Sequence, residues 1–292
     1  MSSSSAPPRV TIAIPFYNEE RYLAAAVQSI LDQTFTDFEL LLVDDGSTDG
    51  SLAIARGFGD ARVVVIAEGP RRHLGARLNQ VARRARADLV ARMDADDLAH
   101  PRRIAAQIAI LDADASCDAV GAWAAVVDQA GAILAILDSE ARPRDPRVAL
   151  RRGLMVHATM VARREWLLAN PYDERFTRAE DRDLWCRVVR TSKLVVVPEV
   201  LYIQRVSTRG RDFLRDYIES QRQNRQLYAL HGPRTVGIVE SARQRLLSTA
   251  KSFAMTVAVA SGVADRLVRR RGRSATAHER AMVEEALASH RA

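Results

Sequence analysis

Val10-Thr11-Ile12-Ala13-Ile14-Pro15-Phe16-Tyr17-Asn18-Glu19 decides the fold, because an apolar, β-branched run breaks off into a polar cluster and the pattern recurs twice. Phe38 to Val43 runs into Asp44-Asp45-Gly46-Ser47-Thr48-Asp49, and Asp88 to Met93 runs into Asp94-Ala95-Asp96-Asp97. Short apolar runs bounded by turn residues read as buried strands, so strands are expected over Val10 to Ile14, over these two runs, and over Arg62 to Ile66. Between them the apolar spacing lengthens to that of a helix. Glu20 to Leu31 puts Leu23, Val27, Ile30 and Leu31 on one face, and Asp49 to Arg56, Gly75 to Arg86 and Pro101 to Leu111 follow suit, the last with proline in its first turn. This alternation predicts an α/β fold: a doubly wound, mostly parallel sheet with helices on its faces. The carboxyl ends of parallel strands share one edge, where ligands bind, so the three clusters are expected to converge.

Beyond this half, Asp118 to Val127 and Ala132 to Leu137 are strand-like around a turn at Gly131, and Val195 to Val200 is a later strand. After Gly210 the periodicity is helical, broken by Gly232-Pro233. The expected organisation is a disordered N-terminus over 1–8, one α/β domain over 9–210 and a basic helical region over 211–292. With 292 residues, 48% of them hydrophobic, 14 Gly and 10 Pro, the chain can bury a core, which excludes wholesale disorder and fibrous repeats. Cys117 and Cys186 lie 69 positions apart with no Cys/His cluster, so a disulfide scaffold and a zinc site both lack material and a reducing cytoplasm suits the chain. No apolar run is long enough to span a bilayer, and Met1 to Pro8 lacks an apolar signal core. Net charge is +7, but residues up to Gly210 hold 28 basic and 28 acidic side chains, and the tail 15 and 8. The excess belongs to the tail alone and makes no case for nucleic acid.

The clusters differ in what ordinary turn chemistry explains. Ser47 or Thr48 can cap the next helix and Gly46 relaxes a turn, but adjacent Asp44 and Asp45 repel unless something donates to them. Asp94-Ala95-Asp96 ends a buried strand, unlike the second Asp-x-Asp at Asp112-Ala113-Asp114, which follows a helix on the surface. Carboxylates at such a strand end suit a hard divalent ion, Mg2+ or Mn2+, with positions left for waters and diphosphate oxygens. No glycine cradle of the Walker or dinucleotide type follows any strand, so an ion would have to hold the phosphates. Farther on, Glu180-Asp181-Arg182-Asp183 precedes an apolar helical stretch and by itself reads as an acidic first turn.

Taken together, Pro15-Phe16-Tyr17-Asn18-Glu19, Asp44-Asp45-Gly46-Ser47-Thr48-Asp49, Met93-Asp94-Ala95-Asp96-Asp97 with Pro101 and Arg103, and Tyr172-Asp173-Glu174 leading to Glu180-Asp181 and Leu184-Trp185-Cys186-Arg187 resemble family 2 glycosyltransferases over residues 9 to about 205. The resemblance implies a GT-A fold, a nucleotide-diphosphate sugar donor, a divalent ion on the Asp-x-Asp and inversion at the anomeric carbon. It implies that Pro15 and Tyr17 line the nucleotide pocket, that Glu19 sits near ribose or base, and that Asp44 or Asp45 accepts a hydrogen bond from the base. Asp94 would contact ribose or sugar and join Asp96 at the metal, and Arg77 would face the diphosphate or sugar. Asp181 matches the general base, with Glu180 beside it, while His157 and Trp185 fall on the acceptor side. The acceptor is expected to be a saccharide or a lipid-linked sugar, and the setting the cytoplasm or the inner face of the cell membrane.

Two departures stand out. Gln204-Arg205-Val206-Ser207 replaces the pattern in which many relatives carry a histidine able to complete the metal shell, and Asn170-Pro171 replaces a glycine pair before Tyr172. For the tail two readings stand side by side. In one, Arg269, Arg270, Arg271 and Arg273 hold the protein to an anionic membrane surface; in the other, a helix packs on the catalytic domain with its arginines in solvent. A sugar-nucleotide pyrophosphorylase would share the sheet and metal use, but it needs a glycine-rich basic loop where this chain has Phe16-Tyr17-Asn18-Glu19. A non-catalytic carbohydrate-binding protein would not require Asp94, Asp96 and Asp181 together.

Overall fold

The computed structural model describes residues 6–206, 211–260 and 272–288. The stretch expected to be disordered, 1–8, lies outside these as far as residue 5. Strands β1 (Val10–Phe16), β2 (Phe38–Asp44), β3 (Val63–Ala67) and β4 (Leu89–Arg92) alternate with helices α1 (Leu23–Leu31), α2 (Ser51–Arg56) and α3 (His73–Arg84). All pairings among these four strands are parallel, in the order β3-β2-β1-β4. β1 is therefore covered on both faces, and its side chains divide accordingly. Val10, Ile12, Ile14 and Phe16 pack with Leu23, Val27 and Ile30 of α1, while Ala13 joins Val81 and Ala82 of α3 on the opposite face. Thr11, fully buried, satisfies its hydroxyl on Glu39 Oε1 at 2.6 Å, and Glu39 is in turn paired with Arg86.

Beyond β4 the sheet becomes mixed. A two-residue strand β5 (Leu98–Ala99) and helix α4 (Arg103–Ala113) lead to β6 (Ala119–Val127) and β7 (Ile133–Leu137), then α5 (Pro146–Arg152), a single 3-10 turn (His157–Thr159), β8 (Val161–Arg163), α6 (Arg164–Ala169), α7 (Glu180–Val188) and β9 (Leu194–Arg205). β8 runs antiparallel to both β4 and β6, β9 lies parallel to β6, and β5 closes the edge against β9. β9 is twelve residues, twice the expected strand, because its second half is needed to hold β5 beside the Asp94 to Asp97 loop. Gly121 in β6 is required by close approach: a Cβ there would stand 2.7 Å from Met155 Sδ, in the segment that leads to His157.

The region after Gly210 is helical, as expected, but it does not form one appendage. Helices α8 (Arg211–Thr235) and α9 (Ile238–Ala260) make a hairpin whose first arm is tied to α7 and the segment before it. His231 meets Asp183 at 2.8 Å, Asn224 meets Arg182 at 2.7 Å, Asp216 meets Arg178 at 2.7 Å, and Gln223 accepts from the Thr177 amide at 2.9 Å. Helix α10 (Ala277–Ala288) instead returns to the catalytic sheet, burying Val283 and Ala286 against Leu98, Ile136, Val200 and Ile203. Arg273 bridges to Ile136 of β7, pairs with Glu279 and with Asp138 at 2.9 Å, and lies over the Trp123 ring. Of the four tail arginines assigned to an anionic surface, Arg273 is thus spent inside the fold. Arg269, Arg270 and Arg271 lie outside the described residues.

Candidate active site

The first two strand ends are laced together by their own loops. Asn18 adopts a left-handed backbone (φ 56°), from which its Oδ1 accepts the Thr48 amide at 2.8 Å and its own amide donates to Ser47 Oγ at 3.1 Å. The Glu19 amide donates to Ser51 Oγ at 2.7 Å, and Glu20 accepts the Gly50 amide at 2.9 Å. Asp44 accepts the Ser47 amide at 2.9 Å, a turn contact that the residue pattern had left unexplained. Asp45 has a different task. It accepts from the Arg72 and His73 amides at 2.8 and 3.0 Å and from Arg77 Nε at 2.8 Å, and both side chains are buried. The adjacent carboxylates coexist because three donors neutralise the second of them.

That arrangement also places Arg77. Its remaining N–H groups go to the Glu68 and Pro70 carbonyls and to Gln80, each within 3.0 Å, so the side chain anchors the 68–73 loop rather than facing a donor diphosphate. The residue that stands over the cleft from this loop is Arg71, whose guanidinium lies 3.8 Å from the Tyr17 ring centre and 3.9 Å from Asp45. Pro15, half-buried, sits beside Tyr17 at the carboxyl end of β1.

The third cluster faces the first. Burial together with the charges of Asp96, Asp49 and Asp94 pushes the Glu19 carboxyl up to about 8, and burial and Asp94 raise Asp96 to about 6. These mutual shifts are the electrostatic record of carboxylates from three loops brought to one cleft. Asp94 is partly neutralised by an ion pair with Arg92, and its amide donates to Tyr202 Oη at 3.1 Å. Arg205 fixes the loop from behind, its amide on Asp97 at 2.7 Å and its Nη1 on the Asp96 carbonyl at 2.9 Å. The second Asp-x-Asp stands apart at the surface, Asp112 paired with Arg9 and Asp114 with Lys193. Among the described residues no three His, Cys, Asp or Glu side chains are arranged as a metal cage. The donor set that fits a divalent ion is therefore an open one, Asp96 with the half-neutralised Asp94, leaving most positions to water and phosphate oxygens.

Opposite these carboxylates lies a buried polar network. Arg92 Nη1 donates to His157 Nδ1 at 2.7 Å, so the imidazole proton sits on Nε2 and is given to Tyr172 Oη at 2.8 Å. Burial, with Arg92 adding to it, holds His157 well below its usual pKa, and the ring is neutral. Trp185 packs edge-on to it, ring centres 6.1 Å apart. α7 starts at Glu180, and its first turn carries both carboxylates of interest. Burial and then Asp181 raise Glu180 to about 7, and its Oε2 is buried with no hydrogen-bond partner among the described residues. Burial likewise raises Asp181. Gly153 (φ 83°) lets the backbone pass close here, since a Cβ on it would lie 3.4 Å from the Trp185 ring and 3.7 Å from Asp181 Oδ2. An acidic first turn alone would leave its carboxylates in water; here Glu180 is buried and feels the charges of Arg92 and Asp94, and the half-buried Asp181 beside it also feels Arg92.

Sequence patterns missed Arg92, Tyr172 as a network member, Tyr202, Arg205 and Arg71. Arg92 did leave a signal. A guanidinium inside an apolar strand, two positions and hence one strand face before Asp94, has to be paired to be buried.

Against known proteins, residues 11–167 match the glycosyl transferase family 2 profile. The chain is 35% identical over 187 residues to a Bacillus subtilis protein named as glycosyltransferase EpsE, covering 62% of this chain and 66% of that one. It is 27% identical over 198 residues to chondroitin synthase of Escherichia coli, covering 67% of this chain and 28% of the synthase. The chain thus spans just under two thirds of the first relative and little more than a quarter of the second. Among solved structures, the mannosyltransferase PcManGT of Pyrobaculum calidifontis, in complex with GDP-Man and Mn2+, superposes with TM-score 0.61 at 20% identity over 98% of this chain and 88% of that one. S. aureus TarS 1–349 in complex with UDP gives 0.58 at 19% identity, over 86% and 74%. At such identities the likeness establishes the fold, GT-A with a C-terminal helical segment. The profile match takes in more than half of the chain and every one of the three strand-end clusters, and the chain accordingly belongs to glycosyl transferase family 2.

Proposed function

We propose that this protein transfers a sugar from a nucleotide-diphosphate donor to a hydroxyl of a saccharide or lipid-linked acceptor, with inversion, in the synthesis of a cell-surface polysaccharide or glycolipid. The observation that carries the proposal is the facing of two carboxylate groups across one cleft. Asp94 and Asp96 stand at the strand ends, Glu180 and Asp181 on α7, and Glu180 feels the charge of both Asp181 and Asp94. Relatives named as chondroitin and hyaluronan synthases, and neighbours solved with UDP or GDP-Man, support this class of donor and product.

On this reading Tyr17, Pro15 and the rim of the Asp44 turn receive the nucleotide, with Arg71 closing over Tyr17. Asp45 and Arg77 act through the loop they fix. A divalent ion, Mn2+ or Mg2+, would be held by Asp96 with Asp94, and when bound it supplies positive charge to the diphosphate leaving group. Asp181, made more basic by burial, accepts the proton of the acceptor hydroxyl as that oxygen attacks the anomeric carbon, and Glu180 tunes it from the side. His157, neutral and locked between Arg92 and Tyr172, shapes the acceptor side without exchanging protons. One displacement on the face opposite the leaving diphosphate gives inversion.

The test is donor hydrolysis and ligand-induced melting shifts over UDP-, GDP- and dTDP-sugars with Mn2+, since a ligand bound only to the native state raises stability by RT ln(1 + [L]/Kd). A metal-dependent shift with one donor class is expected. No shift with any donor, and no hydrolysis, refutes the proposal.

A further inference from the structure

The hairpin helix α9 is amphipathic the wrong way round. Its inner face, against α8, is small and largely polar. Ser241 donates to the Tyr228 carbonyl at 2.6 Å and Ser248 to the Gln221 carbonyl at 2.8 Å, with Met255 following two turns on and Ala258 a turn after that. Its outer face carries the large apolar side chains: Val239 is 83% exposed, Leu246 73% and Phe253 74%. These three recur every seven residues and so form one stripe, about 21 Å long at 1.5 Å per residue. A surface helix of a soluble domain turns such a stripe to the core. Here the core contact is made by serines, and the stripe is left outside.

We propose that the outer face of α9 is a docking surface for an anionic lipid bilayer. Charge decides between occupants. Exposed Arg243, Arg245 and Lys251 flank the stripe, and the helix's one acid, Glu240, is already engaged by Arg243 and Arg151. A second copy laid on this face would bring two copies of Arg245 and Lys251 together, with the one acid of each α9 already spent on Arg243 and Arg151. Residues 261–271 fare no better as a cover, with four arginines against one aspartate. A bilayer carrying anionic headgroups satisfies both features, taking the stripe into the headgroup boundary and pairing the cations with phosphates.

This docking stands on α9 and is independent of the transferase reading. Should both hold, α8 couples them, because its contacts from His231 to Asp183 and from Asn224 to Arg182 tie the hairpin to the helix carrying Glu180 and Asp181. The acceptor side of the cleft would then ride beside the membrane, where a lipid-linked acceptor resides.

The experiment is sedimentation of the full chain with vesicles of phosphatidylcholine alone and of phosphatidylcholine with phosphatidylglycerol. Binding is expected only to the mixed vesicles and is expected to weaken with salt. The double variant Leu246→Ser, Phe253→Ser should lose binding by about a hundredfold, from the transfer of two large apolar side chains. The triple variant Arg243→Gln, Arg245→Gln, Lys251→Gln should lose a similar factor at low salt, about fivefold per cation. Unchanged melting temperature and unchanged melting shift with soluble donor show that the variants fold and keep the nucleotide site. Three results overturn the proposal: no vesicle binding by the wild type, undiminished binding by both variants, or a wild-type dimer that the apolar double variant converts to monomer, which would assign the stripe to a second copy.

Discussion

Asp45→Ala removes the acceptor for three donors at once. Arg77, with a side chain 1% exposed, keeps its carbonyl contacts but loses its counter-ion, and the Arg72 and His73 amides lose their partner. Deleting one member of a buried pair leaves an uncompensated charge and costs about 3–5 kcal/mol. At about 2–4 °C per kcal/mol for a domain of this size, the melting temperature should fall by roughly 6–20 °C. Arg77→Met should be milder, because Asp45 retains two backbone donors at 2.8 and 3.0 Å. Combining Asp45→Ala with Arg77→Met should recover about 2 kcal/mol relative to the sum of the single changes, as expected for residues in direct contact. Urea unfolding of the four proteins, read by intrinsic fluorescence, closes the cycle, and donor titration run in parallel separates anchoring from contact. If Asp45→Ala unfolds within about 1 kcal/mol of wild type, or if Arg77→Met leaves stability intact while raising the donor KM alone, then Arg77 is a donor ligand and the anchoring argument is refuted.

Asp96→Asn should abolish the Mn2+-dependent part of donor binding with little change in melting temperature, whereas Asp112→Asn, which breaks only a surface pair with Arg9, should change neither; matching Mn2+ titrations of wild type and Asp96→Asn would remove Asp96 from the metal. Asp181→Asn should keep donor affinity and lose turnover by about 10² to 10⁴, and a dead Glu180→Gln beside an active Asp181→Asn would exchange the two roles. The base works only when ionised, and burial raises Asp181 as well as its neighbour Glu180, so kcat/KM should fall on the acid side at a pH above that of an ordinary solvated carboxylate. An acidic limb at the pKa of an ordinary solvated carboxylate would place the base in water, away from α7.

What the residue pattern carried was the backbone of the site. The strand-to-cluster breaks at Phe16, Asp44 and Met93 follow from the two-residue period of buried strands, and parallel pairing alone then brings them to one edge. Side-chain direction was not carried. Gly75 to Arg86 read correctly as a helix, yet whether Arg77 reaches forward to the cleft or back to Asp45 depends on where the 68–73 loop runs, and that loop is set by the positive φ at His73 and by Asp45 itself. The antiparallel partner β8 escaped notice because three residues bear no period, and β9 was read only as far as Val200, whereas the backbone passes Pro198 and Glu199 with a register shift and continues as strand to Arg205. The inward turn of Glu180 was hidden for a related reason: an acidic first turn is ordinary at a helix start, and only Arg92, on a strand some ninety positions earlier, distinguishes it.

The return of the chain to the sheet at Arg273 changes what the C-terminal third is. β9 ends at Arg205 beside β6, and Arg273 re-enters beside Ile136 of β7, on the other side of β6. The two points are thus three strand spacings apart, about 14 Å, which about five extended residues can bridge. The helical hairpin is therefore an insertion into a closed unit, not a terminal extension, and the two obvious ways of shortening the chain are not equivalent. A stop codon after residue 206 strips Val283 and Ala286 from Leu98 and Ile203 and uncovers the edge that holds β5 beside the Asp94 loop. Excision of 207–271 with a short glycine-serine splice leaves that edge covered, exposing instead the face of α7 where α8 had docked. The excised chain should remain folded and bind donor, and the truncated one should aggregate, a contrast readable by light scattering and melting curves.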